Sequence, residues 1–567
     1  MKTFCVQTLG CKVNQYESDQ VASLLRRHGL TEAPPADADL RVVNTCSVTV
    51  QAASKSRQTT RRLVRLPLLG QPTVGHPTPG QPTHNPAGPS IRLAATPTRA
   101  ARPRVVVMGC WATSDPAAAS AIAGVDAVLT HHGDVAGELD RLLTQWLQAG
   151  DHNAGGLSTT QSAGSATIDT PTEPIESPLP EPLKSDGWMK EAGTPAGTRT
   201  RSSKATSIEK VNANLAVRGV VSPARAAISR DVSGRVGTTT LPLLDERQPG
   251  RQRAFLKVQD GCDAHCTYCI IPRLRPALWS KPVDDAVEEA RRLVAAGHVE
   301  VVLTGIFLSA YGQPTALHRR QVAGGARPLG ELVTALCTRV PGLRRVRLSS
   351  LEPGDLTDDL LRVLREHEQV VPHFHLPLQS GSDQLLRQMN RQYTRDEFLR
   401  MIDRVRETFD RPAFTTDVIV GFPGESDDEF QRTMAVVEHA RFIHVHAFSF
   451  SPRPGTAAAR RARDFVRGPV VNERIETLRR AAEAHSFDYR RQFLGETVEV
   501  LVERDDTDEG VDRGAPRHGR CERYFDVHFD HPSARPGDFL RLRIDRVTPR
   551  RTYGTVVGAA APERVPA

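Results

Sequence analysis

The chain has 567 residues, of which 39% are hydrophobic and 25% are charged, and its net charge is +8. This composition is typical of a globular protein, and the length predicts about three domains. No apolar stretch approaches the roughly 20 residues of a membrane helix, and the N-terminus lacks the apolar core of a secretory signal. We therefore expect a cytoplasmic protein, whose mild positive charge permits an anionic partner such as RNA without requiring one.

The first part of the chain alternates short apolar strands with helical segments. In chain order, these predicted elements cover residues 1–8 (strand), 17–27 (helix), 40–44 (strand), 105–108 (strand), 116–123 (helix) and 127–129 (strand). Such an alternation predicts a doubly wound α/β domain, which we place at residues 1–148. Nine prolines fall between Pro67 and Pro103, so residues 67–103 are predicted to be an insertion without helix or sheet.

A second low-complexity stretch, residues 149–250, has Trp188 as its only aromatic residue and is predicted to be a linker. Residues 251–488 then repeat a strand followed by a helix, which predicts a partial (βα)6 barrel with functional residues at the C-terminal ends of its strands. The predicted strands cover 255–258, 299–303, 345–349, 373–376, 416–420 and 444–450, and the helices between them cover 283–296, 329–340, 358–366, 394–409 and 427–440. His373 and His375 share one face of the fourth strand and are predicted to be a structural pair.

The last block, residues 489–560, follows a predicted long helix and contains four strand-like runs. The helix covers 473–491, and the runs cover 497–502, 524–529, 539–544 and 553–557. Short strands separated by turns predict a small β-barrel. Arg541 and Arg543 alternate along one strand and share a face, which makes them candidate contacts for RNA phosphates, although solvated surface arginines are equally expected there.

The nine cysteines are an odd number in a chain that is not predicted to be secreted, so metal binding or catalysis is expected rather than a disulfide framework. Cys262, Cys266 and Cys269 form a CxxxCxxC pattern directly after the first barrel strand. Three thiolates can hold three irons of a [4Fe–4S] cluster and leave the fourth iron open to the amino and carboxylate groups of a small molecule. A zinc site completed by His265 or by a distant cysteine is the alternative, and the spacing favours the cluster.

The segment 262–272 reads CDAHCTYCIIP, and this pattern, with an aromatic residue before the third cysteine, resembles the radical SAM signature. The whole chain resembles the tRNA methylthiotransferases, most closely their threonylcarbamoyladenosine-directed (MtaB) branch. The motifs that carry this resemblance are TLGCKVNQYES (8–18), NTCSVT (44–49), MGC (108–110), KVQDG (257–261), LTG (303–305), SSLEP (349–353), HLPLQSGS (375–382) and VGFPGE (420–425). The C-terminal β-barrel stands where such proteins carry an RNA-binding TRAM domain.

The resemblance implies a transferase with two [4Fe–4S] clusters. The cluster on Cys262, Cys266 and Cys269 would bind S-adenosyl-L-methionine and generate a radical. The second, auxiliary cluster would lie on three separate cysteines, for which no local motif exists; they are Cys11, Cys46 and Cys110. The implied reaction inserts a methylthio group at C2 of N6-threonylcarbamoyladenosine at position 37, in the anticodon stem-loop of tRNA.

Four further residues are candidate contacts for S-adenosylmethionine. Tyr268, beside the cluster, would pack against the adenosyl group, or would only shield the cluster from solvent. Glu352 follows the third barrel strand and would bind a ribose hydroxyl, or would only be a charge at a helix N-terminus. Gly421 and Gly424 offer backbone to a ligand, or would only form the turn before a helix.

The chain also departs from the family pattern. Pro276 stands where a glycine is usual, Leu278 and Trp279 replace polar residues, and Phe307 stands where an asparagine is usual. These departures bear on substrate contacts and leave the six cysteine ligands intact. The alternatives to the threonylcarbamoyladenosine-directed enzyme are an isopentenyladenosine-directed enzyme, a ribosomal-protein-directed enzyme, and a catalytically eroded iron–sulfur RNA-binding protein.

Overall fold

The computed structural model describes residues 1–68, 102–151, 241–247, 251–317, 327–503 and 517–559. The predicted insertion at 67–103 and the predicted linker at 149–250 lie almost wholly outside these residues. Within the described part of the chain, no helix is long and apolar enough to cross a membrane.

The N-terminal part is a five-stranded parallel sheet in the order β2-β1-β3-β4-β5 with helices packed against it. Its elements are β1 (Thr3–Thr8), α1 (Lys12–Arg27), β2 (Thr31–Glu32), β3 (Leu40–Thr45), α2 (Val50–Arg65), β4 (Arg104–Gly109), α3 (Cys110–Ser114), α4 (Pro116–Ser120), β5 (Ala127–Leu129) and α5 (Val135–Asp151). The predicted α/β architecture is confirmed. The apolar pattern does not predict α2, because Leu63 and Ala53 are the only apolar side chains that this polar helix fully buries.

The central part is the predicted partial barrel. Its elements are β6 (Arg253–Asp260), α6 (Ile271–Leu274), β7 (Trp279–Ser280), α7 (Val283–Ala295), β8 (Glu300–Gly305), α8 (Arg327–Arg339), β9 (Arg345–Leu348), α9 (Asp358–Glu366), β10 (His373–His375), α10 (Asp383–Gln388), α11 (Arg395–Thr408), β11 (Ala413–Val420), α12 (Asp427–Ala440) and β12 (His444–Ser449). Strands β6, β8 and β9 are parallel, as are β10, β11 and β12. A parallel bridge between Ser350 and His375 joins the two sets, so the C-terminal ends of six strands form one rim.

The C-terminal part is a closed five-stranded barrel in the order β13-β14-β15-β17-β16. It follows the long helix α13, and the elements are α13 (Gly468–Arg491), β13 (Thr497–Val502), β14 (Arg517–Cys521), β15 (Asp526–Phe529), β16 (Phe539–Val547) and β17 (Thr552–Ala559). The predicted small β-barrel is confirmed, with one strand more than the sequence indicates. Strand β14 reads RHGRC, and its lack of large apolar residues hides it from a search for hydrophobic alternation.

A buried ionic joint fastens the C-terminal barrel to the central one. The carboxylate of Glu300 on β8 lies 2.8 Å from Nε of Arg347 and 3.5 Å from a guanidinium nitrogen of Arg345. Both arginines also donate to backbone carbonyls of the C-terminal barrel, among them those of Glu499 and Cys521. Burial disfavours the charge of Glu300, but the two guanidinium groups outweigh it and lower the pKa of this carboxyl to about 2.

Candidate active site

The loop after β6 brings Cys262, Cys266 and Cys269 together at the C-terminal rim of the partial barrel, and we call them the local triad. The loop is held at its start by the backbone N–H of Cys262, which donates to the carbonyl of Arg275 at 3.1 Å. Burial raises the pKa of the Cys262 and Cys269 thiols to about 12. Because iron binds the thiolate, loading this site must release protons.

The thiols of the local triad are not gathered as closely as the ligands of a single metal ion. Zinc with three sulfur ligands at about 2.3 Å would hold those sulfurs about 3.8 Å apart. Among the described residues, the cysteines form no group whose ligand atoms all lie within 4.8 Å of one another. His265, the predicted zinc alternative, is exposed at a position with φ of +52°. Three cysteine thiolates are the donor set that a [4Fe–4S] cluster with one open iron requires.

Arg391 organises the surroundings of the local triad. Its guanidinium donates to Sγ of Cys266 at 3.4 Å and to the hydroxyl of Tyr268 at 3.5 Å, and it forms an ion pair with Glu352. Tyr268 and Glu352, both predicted as cofactor contacts, therefore lie beside the triad. The sequence motifs do not identify Arg391, because its importance arises from a contact with residues 125, 123 and 39 positions away.

Gly421 and Gly424 lie in the turn between β11 and α12, with φ of +76° and +85°. The N–H of Gly421 donates to the carboxylate of Glu425 at 2.7 Å, and the N–H of Gly424 donates to the carbonyl of Asp464 at 2.8 Å. Both donors have protein partners, so these two N–H groups hold the turn itself. The assignment of the two glycines to the cofactor stays a prediction.

The sheet topology collects the other three predicted cluster ligands, which we call the dispersed triad. Cys11 follows β1, Cys46 follows β3 and Cys110 follows β4, and these strands are neighbours in one parallel sheet. The C-terminal ends of neighbouring parallel strands meet at one edge, so cysteines 35 and 64 residues apart become adjacent. The pKa of the Cys110 thiol is raised to about 12, chiefly by burial. Arg275 lowers this pKa, and the nearby Cys11 and Cys46 raise it.

Close backbone approach makes the dispersed triad compact. A Cβ on Gly10, at φ of +111°, would lie 3.1 Å from Sγ of Cys46, and a Cβ on Gly109, at φ of +93°, would lie 2.3 Å from Oδ1 of Asn44. The amide of Asn14 donates to the carbonyls after β1 and β3 at 2.8 and 2.9 Å, which ties these two loops together. Only glycine fits at both positions without displacing a cysteine loop.

A buried charge network joins the two triads. Arg275 makes a bidentate pair with Glu17 of α1 at 2.7 and 2.8 Å, while Lys257 bridges Glu17 and Asp260 at 2.8 and 2.6 Å. Arg275 also donates to Nε2 of His131 at 2.9 Å. Burial, reinforced by Arg275, lowers the pKa of His131 to about 3, so this imidazole is neutral and can accept that hydrogen bond.

Arg275 thereby touches both cysteine sites. Its carbonyl accepts from Cys262 of the local triad, and its partner His131 lies 3.9 Å from Sγ of Cys110 in the dispersed triad. The sequence contains a partial signal for this network, since a lysine inside the apolar strand β6 needs a buried partner. It does not indicate that the partner, Glu17, comes from helix α1 of the N-terminal part.

Two of the departures from the family pattern lie at the local triad. Leu278 and Phe307 pack in one apolar cluster with Cys262 and Cys266. The backbone N–H of Phe307 donates to Oε1 of Gln259 at 2.7 Å. These side chains pack against the cysteine loop and cover part of it.

The wall formed by β10, β11 and β12 is polar. His375, Asp417 and His446 lie on these three strands. Lys12, which follows Cys11, is near enough to Asp417 for the charge of that carboxylate to act on the pKa of Lys12. Burial lowers the pKa of Lys12, and the charges of Tyr524 and Asp417 oppose this change. The wall that faces the dispersed triad therefore offers imidazole, carboxylate and ammonium groups.

A basic cleft of about 1290 Å³ lies between β12, α13 and the C-terminal barrel. Six arginines line it together with the rings of Phe448, Tyr524 and His528, against the two carboxylates of Glu483 and Asp526; the arginines are Arg479, Arg480, Arg490, Arg520, Arg550 and Arg551. The predicted phosphate contacts Arg541 and Arg543 are exposed on β16 and do not line the cleft, and Arg543 pairs with Asp545 at 3.1 Å. Their role stays a prediction.

Parts of the chain are similar to known proteins. Residues 256–437 match the family model of the radical SAM superfamily, and residues 3–74 match the model described as uncharacterized protein family UPF0004. Among solved structures, the fold is similar to the radical S-adenosylmethionine methyltransferase TsrM from Kitasatospora setae, with a TM-score of 0.44 and 12% identity over 81% of this chain and 77% of that chain.

Two relatives align over most of the chain. The threonylcarbamoyladenosine tRNA methylthiotransferase MtaB of Bacillus subtilis is 29% identical over 89% of this chain and 85% of its own length. The tRNA-2-methylthio-N(6)-dimethylallyladenosine synthase 1 of Mycobacterium marinum is 30% identical over 97% of this chain and 84% of its own length. The chain belongs to the radical SAM tRNA methylthiotransferase family, whose members use S-adenosylmethionine and two [4Fe–4S] clusters.

Proposed function

We propose that this protein inserts a methylthio group at C2 of N6-threonylcarbamoyladenosine at position 37 of cytoplasmic tRNA. In this proposal the local triad holds the cluster that binds S-adenosylmethionine, and the dispersed triad holds the auxiliary cluster. The observation that carries the substrate assignment is the polar wall of β10–β12 with Lys12 beside it. A threonylcarbamoyl group brings a carboxylate and a hydroxyl that can hydrogen-bond to such a wall, whereas an isopentenyl group has no polar atom to offer it.

The protein's own residues position and protect the reaction. When bound, S-adenosylmethionine and the clusters supply the radical chemistry, the methyl group and the sulfur. Leu278 and Phe307 pack beside the local triad and reduce its contact with water, which limits side reactions of a reactive species. Arg391 places a fixed positive charge beside Cys266, where it offsets the charge of a thiolate cluster. Arg275 holds the two triads in a constant relation, because it contacts Cys262 of the local triad and, through His131, lies beside Cys110 of the dispersed triad.

The basic cleft is the proposed contact for the anticodon stem-loop. Its arginines suit the phosphate backbone, and its aromatic and imidazole rings suit unstacked bases of a single-stranded loop. His446 belongs both to the cleft and to the polar wall, so a nucleotide drawn from the loop passes directly from one to the other. Binding through phosphates should weaken as the salt concentration rises.

Methylthiolation of isopentenyladenosine is the second candidate function, because the relative from Mycobacterium marinum aligns over 97% of this chain. Deletion of the gene in its host, followed by mass spectrometry of tRNA nucleosides, separates the two. We expect loss of the methylthio form and accumulation of N6-threonylcarbamoyladenosine. Loss of methylthio-isopentenyladenosine would assign the second function, and unchanged methylthio nucleosides would exclude both.

A purified-enzyme assay tests the role assigned to the polar wall. Lys12→Met should reduce methylthiolation of tRNA that carries threonylcarbamoyladenosine, because an ammonium near the substrate's carboxylate is lost. Cleavage of S-adenosylmethionine without tRNA should remain, since Lys12 does not touch the local triad. Arg491→Met, near the C-terminus of α13, is a matched loss of charge outside the wall and the cleft lining. Equal effects of the two substitutions would refute this role for Lys12.

A further inference from the structure

Three neighbouring strands each contribute one metal-binding side chain to the polar wall. His375 lies on β10, Asp417 on β11 and His446 on β12, and the strand register places Asp417 directly opposite His446. One ligand atom from each of the three lies within 4.8 Å of the other two. Nε2 of His375 is 3.3 Å from Oδ2 of Asp417. No other group of three or more histidine, cysteine or acidic side chains in the described ranges is drawn together this closely.

The histidine rings are already oriented for a metal. Nδ1 of His375 lies 3.0 Å from the hydroxyl of Thr415, and that hydroxyl is 3.1 Å from Nε2 of His373. Nδ1 of His446 lies 3.1 Å from Nε2 of His444. When each Nδ1 carries the proton and donates it, Nε2 of His375 and Nε2 of His446 keep their lone pairs. Metal-binding histidines are held in this way, by a hydrogen bond from the ring nitrogen that does not bind the ion.

We propose that His375, Asp417 and His446 bind one divalent transition-metal ion, such as Zn²⁺, separately from both cysteine triads. Two imidazoles and one carboxylate are a ligand set that zinc and ferrous iron accept. Ligands at about 2.0–2.2 Å around a tetrahedral ion stand about 3.3–3.6 Å apart, and the His375–Asp417 distance of 3.3 Å lies in this range. Three protein ligands leave a fourth position for an oxygen ligand, and His446 places this position at the basic cleft.

Positive charges near the site disfavour the binding of a cation. This gives the proposal a second test, because removing such a charge should strengthen binding. Lys12 interacts electrostatically with the carboxylate of Asp417, so a bound cation must compete with the ammonium group of Lys12 for this carboxylate. Arg520 and Arg347 are the other fixed positive charges that act on the histidines of this wall. Removal of Lys12 should therefore strengthen metal binding, whereas removal of a ligand should abolish it.

The experiment uses the full chain with both clusters reconstituted anaerobically, exposed to Zn²⁺ and then desalted. We expect about one zinc per chain, and X-ray absorption should show nitrogen and oxygen ligands at about 2.0–2.1 Å and no sulfur at about 2.3 Å. His446→Phe and Asp417→Asn should lose this zinc with the iron content unchanged, and Lys12→Met should bind it more tightly.

His439→Phe is the matched control, because His439 also lies next to a carboxylate, that of Asp403 at 2.9 Å, but is not part of such a group. It should retain the zinc. Iron content reports whether each variant is folded, and the nearly isosteric Asp417→Asn serves if His446→Phe fails to fold. The proposal is overturned if no zinc is retained, if its ligands are sulfur, or if zinc binding persists in the ligand variants.

Discussion

The two cysteine triads offer the same donor atoms but are built in opposite ways. The local triad lies within eight residues of one loop, so its spacing alone indicates a cluster. The dispersed triad comes from three strand ends separated by 35 and 64 residues, and only the parallel order β1-β3-β4 brings its members together. A short sequence motif therefore predicts a site that lies within one loop. A site at the edge of a sheet can be recognised only when the order of the strands is known.

The triads also differ in how they are protected. In the local triad all three cysteines are half-buried, and Leu278 and Phe307 pack apolar side chains against Cys262 and Cys266. In the dispersed triad Cys46 and Cys110 are buried but Cys11 is exposed, so one edge of this site is open. A site that generates a radical from S-adenosylmethionine needs surroundings that limit the access of water. A site that passes sulfur to a separate substrate needs to be accessible to that substrate.

The largest expected effect separates the two triads by function. Cys262→Ala should abolish both cleavage of S-adenosylmethionine and methylthiolation. Cys46→Ala should abolish methylthiolation and leave reductive cleavage to 5′-deoxyadenosine, because the local triad is intact. Both products can be quantified by mass spectrometry. Cys337→Ala, at a half-buried cysteine of α8, should change neither, and loss of cleavage in Cys46→Ala would show that the triads are not separable.

The next effect concerns the charge network between the triads. Arg275→Met leaves the buried carboxylates of Glu17 and Asp260 with Lys257 as their remaining strong partner, so we expect a loss of about 3–5 kcal/mol in the free energy of unfolding. Denaturant unfolding measures it. Arg292→Met removes an exposed pair with Glu288 on α7 and should cost no more than about 0.5 kcal/mol. Similar losses in the two variants would mean that the buried charge network contributes no more to stability than an exposed ion pair.

The ionic joint at Glu300 predicts a pH dependence. The pKa of this carboxyl is about 2 in the folded protein and near 4.5 when unperturbed, so its stabilisation is present above pH 4.5 and is lost as pH falls toward 2. The shift corresponds to about 3 kcal/mol. Glu300→Gln should lower the free energy of unfolding by a similar amount at pH 7 and flatten its acid dependence. An unchanged acid profile would contradict the assigned pairing.

The smallest effect tests the covering of the local triad. Phe307→Asn removes part of the apolar cluster around Cys262 and Cys266 and should cost about 1–2 kcal/mol in the free energy of unfolding. In air, it should hasten loss of the local cluster and spare the auxiliary one, as followed by electron paramagnetic resonance. Equal acceleration at both clusters would show that Phe307 does not protect one site specifically.

Local pattern accounts for most of the fold. Helices α9 and α12 begin and end at the predicted residues, because each has a strong apolar stripe and an N-terminal cap, Thr357 in α9 and Ser426 in α12. Strand β14 and helix α2 escape prediction because their sequences are polar and their places are set by neighbouring elements. Tertiary packing overrides local propensity in such segments.

The residues of the site divide in the same way into those that local sequence predicts and those that only tertiary contacts reveal. Cys262, Cys266 and Cys269 are predictable because one loop carries them, and the other three cysteines were indicated only by resemblance. Arg275, His131 and Arg391 carry no local signal, because each makes at least one of its contacts with a residue more than 100 positions away. The wall that holds His375, Asp417 and His446 likewise exists only where three strands lie side by side.

Iron analysis of the anaerobically reconstituted protein tests the central claim, that each triad holds its own cluster, most directly. The intact chain should bind about eight irons. Replacing all three cysteines of the local triad by alanine should leave about four irons, and replacing all three of the dispersed triad should also leave about four, with each remaining set giving a separate cluster spectrum. A chain that binds only about four irons, or that loses all of its iron when either triad is removed, would contradict the account.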